Sequence, residues 1–235
     1  MQGTRASVEA LPEGEGKARA VRDMFDRIAP RYDLLNRLLT FRMDVGWRRR
    51  TVEGLGLAPS SLVLDLACGT GDLCRGLAAH GHRPIGLDLS AGMLAAARTD
   101  APLVQADVTV LPVPDGAADG VTCGFALRNL VDLRAGLVAM ARALRPGGRV
   151  ALLEVAEPRS RLLRTGHRVY FGAVVPRIGA LLSDGAAYRY LPRSVAYLPA
   201  PEGLTALMTE AGFGRIRREL LSGGIAQLLT ATRGT

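Results

Sequence analysis

Leu62-Val63-Leu64-Asp65-Leu66-Ala67-Cys68-Gly69-Thr70-Gly71-Asp72 is the stretch that decides the fold. An apolar run with one carboxylate near its end, followed at once by Gly-Thr-Gly, reads as a buried parallel strand entering a tight turn and then a helix. Gly69 and Gly71 reach backbone angles closed to other residues, and without side chains they let a ligand lie directly on the main chain. Asp72 suits the N-cap of a helix running from Leu73 to His80, and Asp65 can accept hydrogen bonds from the loop or from a bound cation. The turn has the size of a nucleotide site, but the third glycine of G-x-G-x-x-G is missing because Cys74 holds that place.

The next strands separate the ligands. Pro84-Ile85-Gly86-Leu87-Asp88-Leu89-Ser90 places an acid at a strand's carboxyl end, where a carboxylate can take both hydroxyls of a ribose. Leu103-Val104-Gln105-Ala106 runs into Asp107-Val108, an acid and a backbone amide suited to the exocyclic amine and ring nitrogen of adenine. Three successive strand ends thus supply polar groups to one crevice. The arrangement resembles the class I S-adenosylmethionine (SAM) methyltransferases over about Ser61 to Val155. That resemblance implies a Rossmann-like α/β fold in which the glycine loop (Asp65, Gly69, Thr70, Gly71) faces the methionine part of SAM, Asp88 the ribose, and Asp107 with Val108 the adenine.

The composition agrees with an enzyme-sized globule: 235 residues, 48% of them hydrophobic, bury one sizeable core. The net charge of +8, carried mostly by arginine, favours anionic partners, either nucleic acid or an anionic membrane surface, with a merely solvated surface as the competing reading. Cys68, Cys74 and Cys123 make an odd number, two of them in the ligand loop and its helix, so a reducing, cytoplasmic setting is expected rather than a disulfide framework. His80, His82 and His167 lack metal-ligand spacing, and no metal is expected. The first twenty residues lack the apolar core of a signal peptide and read as a mobile arm. No stretch reaches the length of a transmembrane helix, since the apolar segment Phe171 to Leu182 is broken by Pro176 and Arg177.

From Val21 to Leu57 the pattern is helical. Val21, Phe25 and Ile28, then Tyr32, Leu35, Leu38 and Leu39, put apolar groups on one face, with Pro30 separating two helices. Phe25-Asp26-Arg27-Ile28-Ala29-Pro30-Arg31-Tyr32-Asp33-Leu34-Leu35-Asn36, followed by Trp47-Arg48-Arg49, is similar to the opening signature of the ubiquinone/menaquinone biosynthesis C-methyltransferases. The loop Leu66 to Asp72, the second strand Gly86 to Leu94, Gly124-Phe125-Ala126-Leu127-Arg128-Asn129, Tyr188-Arg189-Tyr190-Leu191-Pro192-Arg193-Ser194 and Ser222-Gly223-Gly224-Ile225-Ala226 resemble further stretches of that family. The match spans nearly all of Val21 to Thr232. Ala126 departs from it where a glycine is usual, and Tyr197 stands where a phenylalanine is more common.

The resemblance implies a seven-stranded sheet with an antiparallel last strand, all in one methyltransferase domain over 21–235, with a helical cap over 21–57 and a lid inserted over 158–199. Asp119 to Phe125 reads as the fourth strand, Leu133 to Leu144 as a helix stopped by Arg145-Pro146-Gly147-Gly148, Arg149 to Val155 as the fifth strand, Leu204 to Ala211 as the last helix, and Gly214 to Leu221 with Gln227 to Thr232 as a closing hairpin. The aromatic and apolar residues of the lid segment, Phe171 and Tyr188 among them, suit the enclosure of a greasy acceptor. Tyr32 and Gly124 complete the residues that the resemblance places at SAM.

The implied chemistry is methyl transfer from SAM to a ring carbon of a polyprenylated quinol, with demethylmenaquinol giving menaquinol as the leading case. Arg128 and Asn129 are the expected catalytic pair: they can hydrogen-bond the ring oxygens and stabilise a phenolate whose charge spreads onto ring carbon. Arginine is a poor literal base, and a structural salt bridge with a helix cap is the competing role for this pair. The Asn/Asp-Pro-Pro-aromatic motif of enzymes that methylate amide or exocyclic nitrogen is absent at the fourth strand's end, so no nucleic-acid partner is expected. A phenolic or polyketide acceptor and a non-catalytic SAM-binding scaffold remain as alternatives. Peripheral attachment to an anionic membrane surface and a homodimer are the remaining expectations.

Overall fold

The Leu62–Leu66 run forms strand β1, buried from Val63 onward, and pairs in parallel with a neighbour on each side. The computed structural model describes residues 14–158, 160, 164–165 and 194–234. The other strands are β2 (Arg83–Asp88), β3 (Leu103–Gln105), β4 (Ala118–Gly124), β5 (Leu144–Val155), β6 (Phe213–Leu221) and β7 (Ala226–Arg233). They make one seven-stranded sheet in the order β3-β2-β1-β4-β5-β7-β6. β7 runs antiparallel to both its neighbours, as expected for the last strand. Its short connection from β6, through Ser222, Gly223 and Gly224 at positive φ, permits only that orientation, because a parallel return needs a long crossover.

Alternation along the central strands divides the core in two. Val63, Ala151 and Leu153 meet Trp47, Val52, Leu73 and Leu77 on one face. Leu64, Leu66, Val150 and Leu152 meet Leu137, Met140, Leu204 and Met208 on the other. Helices α3 (Met43–Leu55) and α4 (Asp72–Ala79) therefore cover one side, and α6 (Leu133–Ala143) and α7 (Pro201–Glu210) the other, with α5 (Ala91–Ala95) following β2. Burial on both faces is why these strands read as continuous apolar runs.

Pro30 separates two helices of the cap as expected, α1 (Gly14–Ile28) and α2 (Tyr32–Leu39), from within a 3-10 turn, and α3 completes the cap. It has its own small core of Met24, Ile28, Leu35, Leu39 and Met93. The arm expected over residues 1–20 is corrected by α1, which already begins at Gly14 and buries Lys17; residues 1–13 lie outside the described residues. A second correction concerns Asp72, which is the first residue of α4. The N-cap is Gly71 at φ 81°, where an added Cβ would come within 2.7 Å of Thr99. A third is the 145–148 turn, which does not separate helix from strand but forms an irregular excursion inside β5. Most of the expected lid, including Phe171 and Tyr188, lies outside the described residues.

Candidate active site

The carboxyl ends of β1, β2, β3 and β4 converge on one cavity. Gly69 supplies main chain from the turn after β1. Asp88 closes β2, and its carboxylate is fixed from both sides: one oxygen accepts from the Gly69 amide at 2.8 Å, the other from the Ser90 amide at 2.8 Å. Burial raises its pKa, and those backbone bonds pull it back toward the ionised form. Each oxygen keeps a further lone pair for a ligand. Asp107 and Val108 line the cavity beyond β3, and Asp107 is oriented by bonds from the amide and hydroxyl of Thr109, both 2.8 Å. Leu89 and Met93 add apolar wall between them.

The cap closes the cavity from above. Ala18, Val21, Arg22 and Phe25, on one face of α1, line it together with Tyr32 at the start of α2. Polar contacts hold α1 down. Asp26 accepts from Ser90 Oγ at 2.5 Å and from the Gly92 amide at 2.9 Å, and Lys17 donates to the Leu130 carbonyl at 2.7 Å while standing 3.7 Å from the Tyr197 ring centre. Burial lowers the Lys17 pKa. Thr70 donates its hydroxyl to Asp33 of α2, so the glycine loop and the cap are tied directly. Burial pushes the Tyr32 hydroxyl pKa up, which keeps it a donor at neutral pH.

Asp88, Asp107, Val108 and the bare main chain of Gly69 thus line one cavity, a donor and acceptor set whose chemistry would fit SAM. A family model for the ubiE/COQ5 methyltransferase family matches residues 13–233. The chain belongs to this family. Among its relatives, the demethylmenaquinone methyltransferase of Thermus thermophilus is 47% identical over 221 residues, covering 89% of this chain and 100% of that one. The ubiquinone/menaquinone biosynthesis C-methyltransferase of Syntrophotalea carbinolica is 43% identical, covering 90% and 93%. A SAM-dependent methyltransferase from Thermotoga maritima shares the fold with a TM-score of 0.63 at 18% identity, over 90% of this chain and 99% of that one. As a member of the ubiE/COQ5 family the protein is a SAM-dependent methyltransferase with a Rossmann-like fold.

The structure brings Gly69, Asp88, Asp107, Val108, Gly124, Tyr32 and Asn129 to the cavity wall. It places three other expected contacts behind that wall. Thr70 has its side chain on Asp33, and Gly71 is the helix cap. Asp65 is fully buried beneath the loop, where Thr122 Oγ1 donates to it at 2.8 Å and Cys74 Sγ lies at 3.3 Å. Burial, opposed by those bonds, raises the Asp65 pKa from 3.8 to about 7.

Arg128 is a fourth correction. It does not line the cavity: its guanidinium pairs with fully buried Glu154 and also donates to the Phe125 carbonyl at 2.8 Å and to Ser194 Oγ at 3.1 Å. The competing structural role is the one its contacts support. The pair holds a strained segment, because Phe125 leaves β4 at φ 59°, a conformation that bulky residues avoid. Phe125 lines the cavity with its ring centre 6.0 Å from that of Trp47.

Sequence reasoning missed Glu154, Asp26, Asp33 and the α1 face. Glu154 was detectable as an acid ending an apolar strand, the same signal that marks Asp88. Asp26 and Asp33 carried no such sign, since a carboxylate on a helix is ordinarily a solvated one. The run Trp47-Arg48-Arg49-Arg50 divides by burial. Trp47 is buried and donates to Ser222 Oγ at 2.8 Å. Arg48 pairs with buried Asp44 and lies 3.5 Å from Asp72, Arg50 meets Glu219 on β6, and exposed Arg49 lies 3.5 Å from Glu53 on its own helix.

Proposed function

We propose that the protein transfers the methyl group of SAM to a ring carbon of a prenylated quinol, converting demethylmenaquinol to menaquinol. The observation that carries this reading is the turn after β4, where Gly124, Phe125, Ala126 and Asn129 reach one side of the cavity and Leu130 and Val131 extend it with apolar surface. A flat, oily ring with a polar edge suits such a wall, whereas a charged acceptor does not. The relatives' names, at 47% and 43% identity, point to the same acceptor.

Gly69, Gly124 and Tyr32 would hold the methionine end of SAM, Asp88 the ribose hydroxyls, and Asp107 with the Val108 amide the adenine. SAM supplies a methyl group already activated by its sulfonium. The chain's part is to align the quinol, raise electron density on its ring and exclude water. Asn129, nearly buried at the wall, is the group placed to hydrogen-bond a ring oxygen as it gains charge. Arg128 acts through it as a positioning residue, by fixing the 125–129 segment against Glu154. Phe125 and the α1 face keep water from the reacting carbon.

Peripheral membrane attachment belongs to the same proposal. A polyprenyl tail stays in lipid, the net charge is +8, and among the described residues no helix is long and apolar enough to cross a membrane. Incubation with labelled SAM and a panel of demethylmenaquinol, ubiquinol-type and simple phenolic acceptors, with products located by mass, tests the reaction. Label on the quinol ring carbon supports it. A folded, SAM-binding protein inactive on every quinol and phenol would overturn it in favour of a scaffold.

A further inference from the structure

The cap has an outer face that the methyl-transfer site does not use. Leu34, Leu38, Phe41 and Val45 are 66%, 47%, 72% and 45% exposed. The other exposed large hydrophobic residues among those described are Val104, Val110, Val131 and Val138, smaller and dispersed. Leu34 and Leu38 lie one turn apart on α2, whose adjoining face buries Leu35 and Leu39. The turn that follows holds Phe41 and Arg42 at φ 51° and 63°, a conformation costly for bulky residues, and within it the phenyl ring stands at the surface. Val45 continues the run in the first turn of α3. Arg31, Arg42 and Arg49 are exposed along the same stretch, Arg49 lying 3.5 Å from the carboxylate of Glu53.

We propose that this face rests on an anionic lipid bilayer. Leu34, Leu38, Phe41 and Val45 enter the boundary between headgroups and acyl chains, and Arg31, Arg42 and Arg49 meet acidic headgroups. The proposal deepens the peripheral attachment above and rests on it. Charge selects the occupant, because a second copy of this chain would bring the same arginines against each other, whereas an acidic lipid surface complements them. The position gives the contact a use. Tyr32 opens the same helix and lines the cavity, so Leu38 is about 9 Å along the axis from the site at helical rise. A quinol ring can reach the cavity from there with its tail still in the acyl layer.

The test is co-sedimentation with vesicles of phosphatidylcholine alone and of phosphatidylcholine mixed with phosphatidylglycerol. It compares the wild type with the triple variant Leu34→Gln, Leu38→Gln, Phe41→Asn. Glutamine keeps the helix, and asparagine tolerates the positive φ. The wild type should bind the mixed vesicles and release them as salt rises. The triple variant should bind them more weakly by roughly tenfold or more, with melting temperature and calorimetric SAM affinity unchanged. A triple variant that sediments like the wild type overturns the docking face while leaving peripheral attachment standing. A wild type that binds neither vesicle overturns the attachment itself. Light scattering that shows the wild type as a larger assembly than the triple variant assigns the face to a second copy and overturns the lipid assignment.

Discussion

Replacing Arg128 by glutamine removes the charge that neutralises Glu154. Arg128 is 6% exposed and Glu154 0%, so water cannot take the guanidinium's place. Removing one partner of such a pair costs about 3–5 kcal/mol, most of it the penalty of a stranded charge. The bonds to the Phe125 carbonyl and Ser194 are lost as well. For a chain of 235 residues, at about 2–4 °C per kcal/mol, the melting temperature should fall by roughly 6–20 °C in differential scanning calorimetry. Glu154→Gln alone strands the arginine and should fall comparably. The double variant Arg128→Gln/Glu154→Gln buries no charge and should recover much of the loss, giving a coupling of a few kcal/mol in the cycle. Turnover then separates positioning from direct participation. If Arg128 only fixes the 125–129 segment, the restored double variant regains most of its rate. If the guanidinium itself stabilises the quinol oxygen, the double variant stays slow by about a hundredfold to a thousandfold. An Arg128→Gln protein that melts with the wild type would refute the argument from the buried pair.

Asp88→Ala should weaken SAM binding by about 1.5–3 kcal/mol, the worth of charged hydrogen bonds, and calorimetry showing wild-type affinity in a folded protein would remove Asp88 from the site. Asp65 should make stability depend on pH. Its folded pKa, raised to about 7 from 3.8, means the folded chain keeps a proton that the unfolded chain has released, so its contribution is full below about pH 4 and lost as pH rises toward 7. The loss amounts to about 4 kcal/mol at ~1.4 kcal/mol per unit, and Asp65→Asn should therefore raise the melting temperature at pH 8 more than at pH 5; equal effects at both would count against it. Asp26→Ala should leave the Ser90 hydroxyl and Gly92 amide without their carboxylate, costing about 1–3 kcal/mol and speeding hydrogen exchange in α1, while slow, wild-type exchange there would show that Asp26 does not hold the cap down.

The strands, the glycine turn and the carboxylates at strand ends were legible in the chain because each depends on local chemistry. Burial on both faces writes continuous apolar runs, a tight turn demands Gly69 and Gly71, and an acid stands out at the end of an apolar strand, as Asp88 does. Family likeness implied the antiparallel β7, and the short Ser222-Gly223-Gly224 connection, too brief for a parallel crossover, encodes its pairing with β6 locally. Tertiary structure alone decided which of several similar side chains face the cavity. Asp65 and Asp88 both close apolar strands, yet Asp65 turns under the loop to Thr122 and Cys74 while Asp88 turns toward the cavity. Arg128 and Asn129 are adjacent, but the 3-10 turn at Leu127–Asn129 sends the first to Glu154 and the second to the wall. Partners at such distances, Arg128 with Glu154 and Asp26 with Ser90, are 26 and 64 positions apart in the chain. A side chain's direction is set by what packs around it, and for these residues that surrounding exists only once the sheet has brought distant segments together.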